Sequence, residues 1–318
     1  MNILEVNKRF KTKEDCLAYL EKLRWGKTPV CPYCNSTDTH EAEHRHHCRN
    51  CLRNFSVLVG TAFQEMHLDL PTLFNIITLM LNAKTGISAS EIGRNLDIPV
   101  NTAWYACMRV RCGMSEAVEE MRGKVEMDEA YLAGKPRKEN TPTISSDAIS
   151  RNKRGRGTSR PGITGMVERG GKKRVIVKVM KSFNSHQMLI MLHKHLAEDK
   201  ATVITDAARH YRKFDDVVAH KVIVHKENFV KGNIHTNTID GFWGHIKNSV
   251  KGSYKAMSRK YLPFYLTEFC YKYNHRTDKT DNLKEYLQNA LHQTNCMLNY
   301  QPVKTYKRKL YKPKSKKK

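Results

Sequence analysis

With 318 residues, 40% hydrophobic and 27% charged, the chain has ordinary globular composition and length for two or three domains. Its 56 Lys and Arg against 31 acids give a formal net charge of +25; this argues for a polyanionic partner, usually nucleic acid, whose neutralised phosphates release condensed counterions. A membrane partner and a secreted disulfide scaffold fit poorly: no long uncharged apolar run, signal peptide or lipidation motif is seen, and nine unevenly placed cysteines suit a reducing cytoplasm.

In chain order, "KEDCLAYLEKLRWG" predicts a short amphipathic helix with Leu17, Leu20 and Leu23 apolar and Gly26 at its end. "CPYC" at 31–34 and "CRNC" at 48–51 follow, with thirteen residues between them. Two such knuckles let Cys31, Cys34, Cys48 and Cys51 close a tetrahedral thiolate site around Zn²⁺, a structural site because no coordination position stays open. So short a segment cannot bury a core of its own. The metal would supply most of its folding free energy, on the order of 10 kcal/mol. His44, His46 and His47 are expected to be exposed and phosphate-facing. Cys16, Cys107, Cys112, Cys270 and Cys296 read mostly as small buried hydrophobes. Residues 1–65 thus form an N-terminal helix and zinc ribbon.

Residues 66–122 read as an all-α helix-turn-helix module. Segment 66–82 is apolar with helical period, and Pro71 stands near its start. In "GISASEIGRNLDIPVNTAWYACMRVRCGM", Ser88 or Ser90 caps a first helix carrying Ile92 and Leu96, and "DIP" makes the turn. Asp97 stands there where Gly is frequent. Asn101 or Thr102 caps a second helix with Ala103, Cys107 and Val110 inward, leaving Thr102, Tyr105, Arg109 and Arg111 for a DNA groove. Any pair of short packed helices shares this periodicity, so the charge and the adjacent ribbon carry part of the reading.

"KVEMDEAYLA" at 124–133 alternates like a strand. A polar, basic insertion rich in Gly, Pro and Ser covers 135–160, and "GITGMVERGGKKRVIVKVM" then predicts two strands bent at Gly170-Gly171. A helix from Ser185 to about Ala197 leads into "ATVITD", a short buried strand ending on an acid. Residues 235 to about 275 are helical again, and the basic tail, 291–318, carries nine Lys or Arg and no acid from 302 onward. Strand, hairpin, helix, strand and helix in that order predict a mixed α/β domain over 123–290.

Asp128 and Asp206 sit at strand ends in a very basic chain. In "HTNTIDGFWGHIKNSVKGSY", helical spacing stacks Asn237, Asp240 and Lys247 on one face, while Phe242, Trp243 and Ile246 pack the helix to the sheet. Phosphodiester cleavage uses two divalent ions about 3.5–4 Å apart. Mg²⁺ takes hard oxygen ligands, so carboxylates from different elements are its natural holder. Taken singly, each aspartate is a cap or a surface acid. Glu129, on the opposite strand face from Asp128, and Glu227 are competing acids.

"VEMDEAYLAGK", "TVITDAARHY" and "HTNTIDGFWGHIKNSVKGSYKAMSRKYLPFYLTEFCYKYNHR" resemble the signature blocks of bacterial insertion-sequence transposases of the IS 1595 type, whose catalytic part is an ISXO-two-like DDE domain. "LRWGKTPVCPYC", "HHCRNCLRNFSVLVGTAF" and the helix-turn-helix region are similar to that group's N-terminal part. The resemblance implies an RNase H-like catalytic fold with Asp128 and Asp206 as the first two ligands of Mg²⁺ or Mn²⁺. The third position falls on the helix with Asn237 and Asp240. The group commonly has Glu where Asp240 stands and some members use Asn, so Asp240 is taken as third ligand with Asn237 assisting. The resemblance also implies Lys247, continued by Lys255, Arg259 and Lys260, as phosphate contacts. It implies double-stranded DNA, both terminal inverted repeats and target, as partner, with a homodimer or higher oligomer on it at the nucleoid. The expected function is a transposase performing strand cleavage and strand transfer. The rivals are a domesticated or inactive sequence-specific DNA-binding protein and a zinc-ribbon RNA-binding or transcription factor.

Overall fold

The computed structural model describes residues 1–117, 120–132, 162–170, 173–180, 183–224, 232–255, 257–258, 260–278 and 281–292, without the side chains of 198 and 199. The insertion expected at 135–160, the tail beyond 292, Glu227, Arg259 and Cys296 lie outside the described residues.

Helices α1 (Ile3–Arg9) and α2 (Lys13–Arg24) each begin with a capping box, Asn2 with Glu5 and Thr12 with Asp15, which satisfies two free N–H groups reciprocally. The α1 helix has no counterpart in the sequence reading. A three-stranded antiparallel sheet follows, β1 (Thr39–Ala42), β2 (Arg45–Cys48) and β3 (Asn54–Phe55) in that order. Helix α3 (Leu70–Asn82) starts at Pro71's turn, with Asp69 capping Thr72 N–H. Ser88 caps α4 (Ala89–Leu96) by accepting from Glu91 N–H, and α4 stops at Asp97, φ +51°, a left-handed conformation that Asp tolerates better than most residues. Helix α5 (Val100–Gly113) follows Pro99 directly, so neither Asn101 nor Thr102 caps it.

The second sheet has the order β6-β5-β4-β7-β8, from β4 (Met121–Tyr131), β5 (Gly162–Arg169), β6 (Val175–Met180), β7 (Leu196–Asp206) and β8 (Ala219–Ile223). Strand β5 runs antiparallel to β4 and β6, whereas β7 is parallel to β4 and β8, giving the mixed α/β sheet expected. Helix α6 (Ser185–His195) runs straight into β7, so "ATVITD" is the end of a longer strand. One face is covered by α6 and a 3₁₀ turn, Arg209–Phe214. There Met188, Leu192, Tyr211 and Phe214 pack on Val125, Met127, Met166 and Val203. The other face carries α7 (Asn237–Ser249) and α8 (Leu262–Asn274), with Ile239, Phe242, Trp243 and Leu266 on Ile163, Val167 and Val175. A π-helical turn, Val250–Tyr254, interrupts the helix expected over 235–275.

The last described helix, α9 (Asn282–His292), packs away from this sheet. Its Tyr286, Leu287 and Leu291 join Leu20, Phe63, Phe74, Ile77 and Val110 in the core of the N-terminal helices. The hydrophobic clusters therefore divide the chain differently from boundaries at 65, 122 and 290. A buried network also joins the two halves: Arg111 Nε donates to Glu268 Oε2 at 2.8 Å, and Tyr254 OH and Lys272 Nζ donate to Glu268 Oε1 at 2.7 and 2.6 Å. No helix among the described residues is long and apolar enough to cross a membrane.

Candidate active site and zinc centre

The two CxxC knuckles converge: one sulfur from each of Cys31, Cys34, Cys48 and Cys51 lies within 4.8 Å of the others. Cys31 and Cys51 sulfurs are 3.6 Å apart, and those of Cys34 and Cys48 3.5 Å. The backbone N–H of Cys51 draws the Cys48 thiol down to about 6, while desolvation pushes the Cys51 thiol up to about 12. A cluster that accepts one negative charge readily and resists the next is a donor set suited to a cation, and four sulfurs suit Zn²⁺. His46 departs from its expected place. It is buried, with Nε2 3.0 Å from Glu21 Oε1 and its ring stacked on Phe55, because the ribbon docks there on α2. His47 bonds Asn54 Oδ1 at 2.8 Å, and His44 stays exposed beside Glu14.

On the larger sheet, the β4–β7 register pairs Glu126 with Ile204, so two residues on Asp128 stands beside Asp206 at the carboxyl ends of parallel strands. This is the usual ligand edge of an α/β sheet. One oxygen each from Asp128, Glu129 and Asp206 lies within 4.8 Å of the others. Asp206 Oδ1 accepts from Ala208 N–H at 3.0 Å, and Trp243 Nε1 donates to Asp128 Oδ2 at 2.9 Å. Trp243 thus does more than pack α7 to the sheet. It can reach because its cross-strand neighbour is Gly165, paired with Asp128, where a Cβ would meet the indole ring at 2.7 Å. Asp240 lies outside the three-acid cluster, and its Oδ2 accepts from Thr236 Oγ1 at 3.1 Å.

Glu126 fixes the helix that carries Asp240. Fully buried on β4, it accepts from Ile239 N–H, in the first turn of α7, at 2.9 Å, and pairs with Arg169 through its other oxygen. A carboxylate at a helix N-terminus satisfies a free N–H and complements the macrodipole. The sequence held the signal: in "VEMDE" period two puts Glu126 on the face of Asp128. Glu126→Ala takes the carboxylate from Arg169, which keeps its bonds to Asn233 O and His235, and strands the Ile239 N–H, and is expected to destabilise the protein by about 3 kcal/mol in urea titration. Glu126→Gln keeps an acceptor and should cost less. A loss under about 1 kcal/mol for Glu126→Ala would remove this anchor.

Burial pushes the Asp128 carboxyl up to about 7, and the charges of Glu129 and Asp240 add to that rise against the bond from Trp243. Its unfolded value is 3.8. Folding therefore takes up a proton between these values, and the carboxylate's stabilisation of the unfolded chain grows as pH rises through that window. Without divalent ions, thermal stability should fall from about pH 4 to about pH 7 through this group, and Asp128→Asn should flatten that slope. An added divalent ion should stabilise more at about pH 8 than at about pH 5, since it no longer competes with the proton. A pH-independent ion effect would contradict this electrostatic picture.

The residues expected to meet DNA divide. Thr102 is exposed and Tyr105 half-buried on the first turns of α5. Arg109 and Arg111 do not face a groove: they are 5% and 2% exposed. Arg109 donates to Ala62 O and Gln64 O at 2.7 and 2.5 Å, because the segment after the ribbon crosses the distal half of α5. Arg111 is held by Glu268. Asn237, Asp240 and Lys247 are exposed together on α7, as are Lys255 and Lys260 beyond it.

Comparison with known proteins matches residues 120–274 to an ISXO2-like transposase domain and residues 11–54 to a transposase zinc-ribbon domain. A Halobacterium salinarum protein described as "Uncharacterized protein in transposable element ISH50" is 24% identical over 245 residues, covering 73% of this chain and 81% of that one. Two solved structures are more distant. A pre-cleavage Mos1 transpososome has TM-score 0.28 and 11% identity over 69% of this chain and 77% of that chain. The Mos1 strand transfer complex has TM-score 0.28 and 11% identity over 73% and 78%. On the residues where its cysteine and acidic motifs fall, the chain thus carries a transposase zinc-ribbon domain and, after it, an ISXO2-like transposase domain, both of the IS 1595 type.

Proposed function

We propose that the protein is a DNA transposase that binds the terminal inverted repeats of its element, cleaves the ends and joins the freed 3′-hydroxyls to target DNA. The observation that carries this reading is the meeting of Asp128 and Asp206 at adjacent strand ends, beside α7, in a chain of net charge +25. Three antiparallel strands followed by two parallel to the first support an RNase H-like catalytic domain. The donor set consists of hard oxygens and so fits Mg²⁺ or Mn²⁺. When bound, the ions polarise the phosphate and activate the attacking water or 3′-hydroxyl.

The chain's own residues have separate tasks. Asp206 keeps one oxygen on Ala208 N–H and offers the other, and Trp243 orients Asp128. Asp240, with Asn237 assisting, would supply a further ligand from α7, and Lys247 would hold a phosphate near the scissile bond. Thr102, Tyr105 and the ribbon meet the repeats, and Lys255 and Arg259 extend the phosphate track. Two ends must be held at once, so the working form is a homodimer or higher oligomer on DNA, in the cytoplasm at the nucleoid.

Asp240's bond to Thr236 and its place outside the three-acid cluster favour a second reading, a DNA-binding protein whose cutting has been lost. An end-bearing duplex separates the two. The transposase is expected to nick it with Mg²⁺ or Mn²⁺, leaving a 3′-hydroxyl, and to stop on chelation. Tight binding with no nick in either metal would favour the binder.

A further inference from the structure

We propose that Glu129 is the third carboxylate of the metal site and that His210 is its positioning residue. This inference rests on the catalytic reading above and adds to it the ligand set. Strand alternation assigns Glu129 to the sheet face opposite Asp128, yet its oxygen lies within 4.8 Å of those of Asp128 and Asp206. The reason is local. Strand β7 ends at Asp206, level with Asp128, so the next residue of β4 has an open edge beside it. Across that edge the longer Glu side chain reaches the other two acids. Mg²⁺ and Mn²⁺ bind oxygens at about 2.1–2.2 Å, so ligand oxygens around one ion stand up to about 4.3 Å apart. The three acids need only a small contraction to share an ion.

His210 follows β7 on the 3₁₀ turn, and its Nε2 meets Glu129 Oε1, with both side chains 8% exposed. Its ring lies 4.3 Å from that of Tyr211 and 6.2 Å from that of Phe183, which restrict its swing. A purely structural ion pair would gain by turning the acid away from like charges. Here His210 holds Glu129 against two of them. Ligating carboxylates are commonly oriented by such an outer partner. Asp240, bonded to Thr236, lies outside this group of three, so Glu129 adds to the ligand that α7 supplies.

The test is Mn²⁺ binding to the full, zinc-loaded chain, followed by the free-ion paramagnetic resonance signal. Glu129→Gln is expected to weaken binding roughly tenfold or more, and Asp240→Asn to weaken it less. His210→Ala should weaken it too, with recovery in His210→Gln, which retains a donor. Should Glu129→Gln fold poorly, the Glu129→Gln/His210→Gln double variant keeps an amide pair in its place. If either Glu129 variant binds Mn²⁺ like the unsubstituted chain while Asp128→Asn has lost it, Glu129 is only an anchor for His210 and the inference fails alone. If Asp128→Asn also binds normally, the catalytic reading fails with it. Unchanged affinity in His210→Ala overturns the positioning role.

Discussion

Asp206→Asn is expected to abolish end cleavage, at least about 10³-fold, while repeat binding stays within about twofold. The substitution is nearly isosteric. An Asn Oδ1 can still accept from Ala208 N–H, which now holds one oxygen of Asp206 at 3.0 Å, so the turn after β7 keeps its shape. The change removes one negative charge at a point where three acids lie within 4.8 Å. Divalent ions contribute several kcal/mol to phosphoryl-transfer barriers, and about 4 kcal/mol corresponds to 10³-fold in rate. On the proposed reading, repeat binding rests on the ribbon, α5 and the exposed lysines, none of which the substitution alters. A labelled duplex checks both at once, by gel shift without metal and by nicking with Mg²⁺. Cutting at the unsubstituted rate by Asp206→Asn would remove the metal site from this strand edge.

How much of this was legible in sequence depends on the range of the interaction. Local rules located α2, α4 and the β5–β6 hairpin, because caps, apolar periods and a Gly bend act within a few residues. They also located the quartet of cysteines and the two strand-end aspartates. What stayed hidden is set by contacts between distant segments. Arg109 shares the helix face of Thr102 by spacing, seven residues on, yet the crossing of residues 57–64 buries it. His46 looked like its exposed neighbours until α2 covered it. Glu126 was visible as an acid alternating with Asp128, but nothing in the strand revealed that α7 would begin against it. Alternation places Glu129 on the face opposite Asp128, where it meets His210, but alternation gives no measure of how far a long side chain reaches round an open strand edge, and here its oxygen lies within 4.8 Å of those of Asp128 and Asp206.

Zinc removal should show the opposite behaviour from Asp206→Asn, with folding lost locally and chemistry lost as a consequence. The ribbon's own hydrophobic cluster is Cys31, Cys48 and Phe55, with Trp25, Cys34, Cys51 and Val59 at its margin. Four of those seven are the metal-ligating cysteines. Without the ion, three short strands rest on Phe55, Trp25 and the Glu21–His46 contact, far less than the loop entropy of 31–55 demands. A structural Zn²⁺ contributes on the order of 10 kcal/mol, so chelation or Cys48→Ser should unfold this segment outright. The helical core around Phe74 and Ile77 and the five-stranded sheet contain none of these sulfurs and should persist. Hydrogen exchange resolves the difference: amides of 39–48 should lose protection on chelation, while those of 70–82 and 121–131 keep theirs. Trp25, whose ring stands edge-on to Phe55 at 5.8 Å, should lose its near-ultraviolet dichroism together with the ribbon. Repeat binding should weaken as the ribbon opens and return with added Zn²⁺. Full protection of 39–48 after the metal is gone would mean that packing against α2, and not the ion, holds the ribbon.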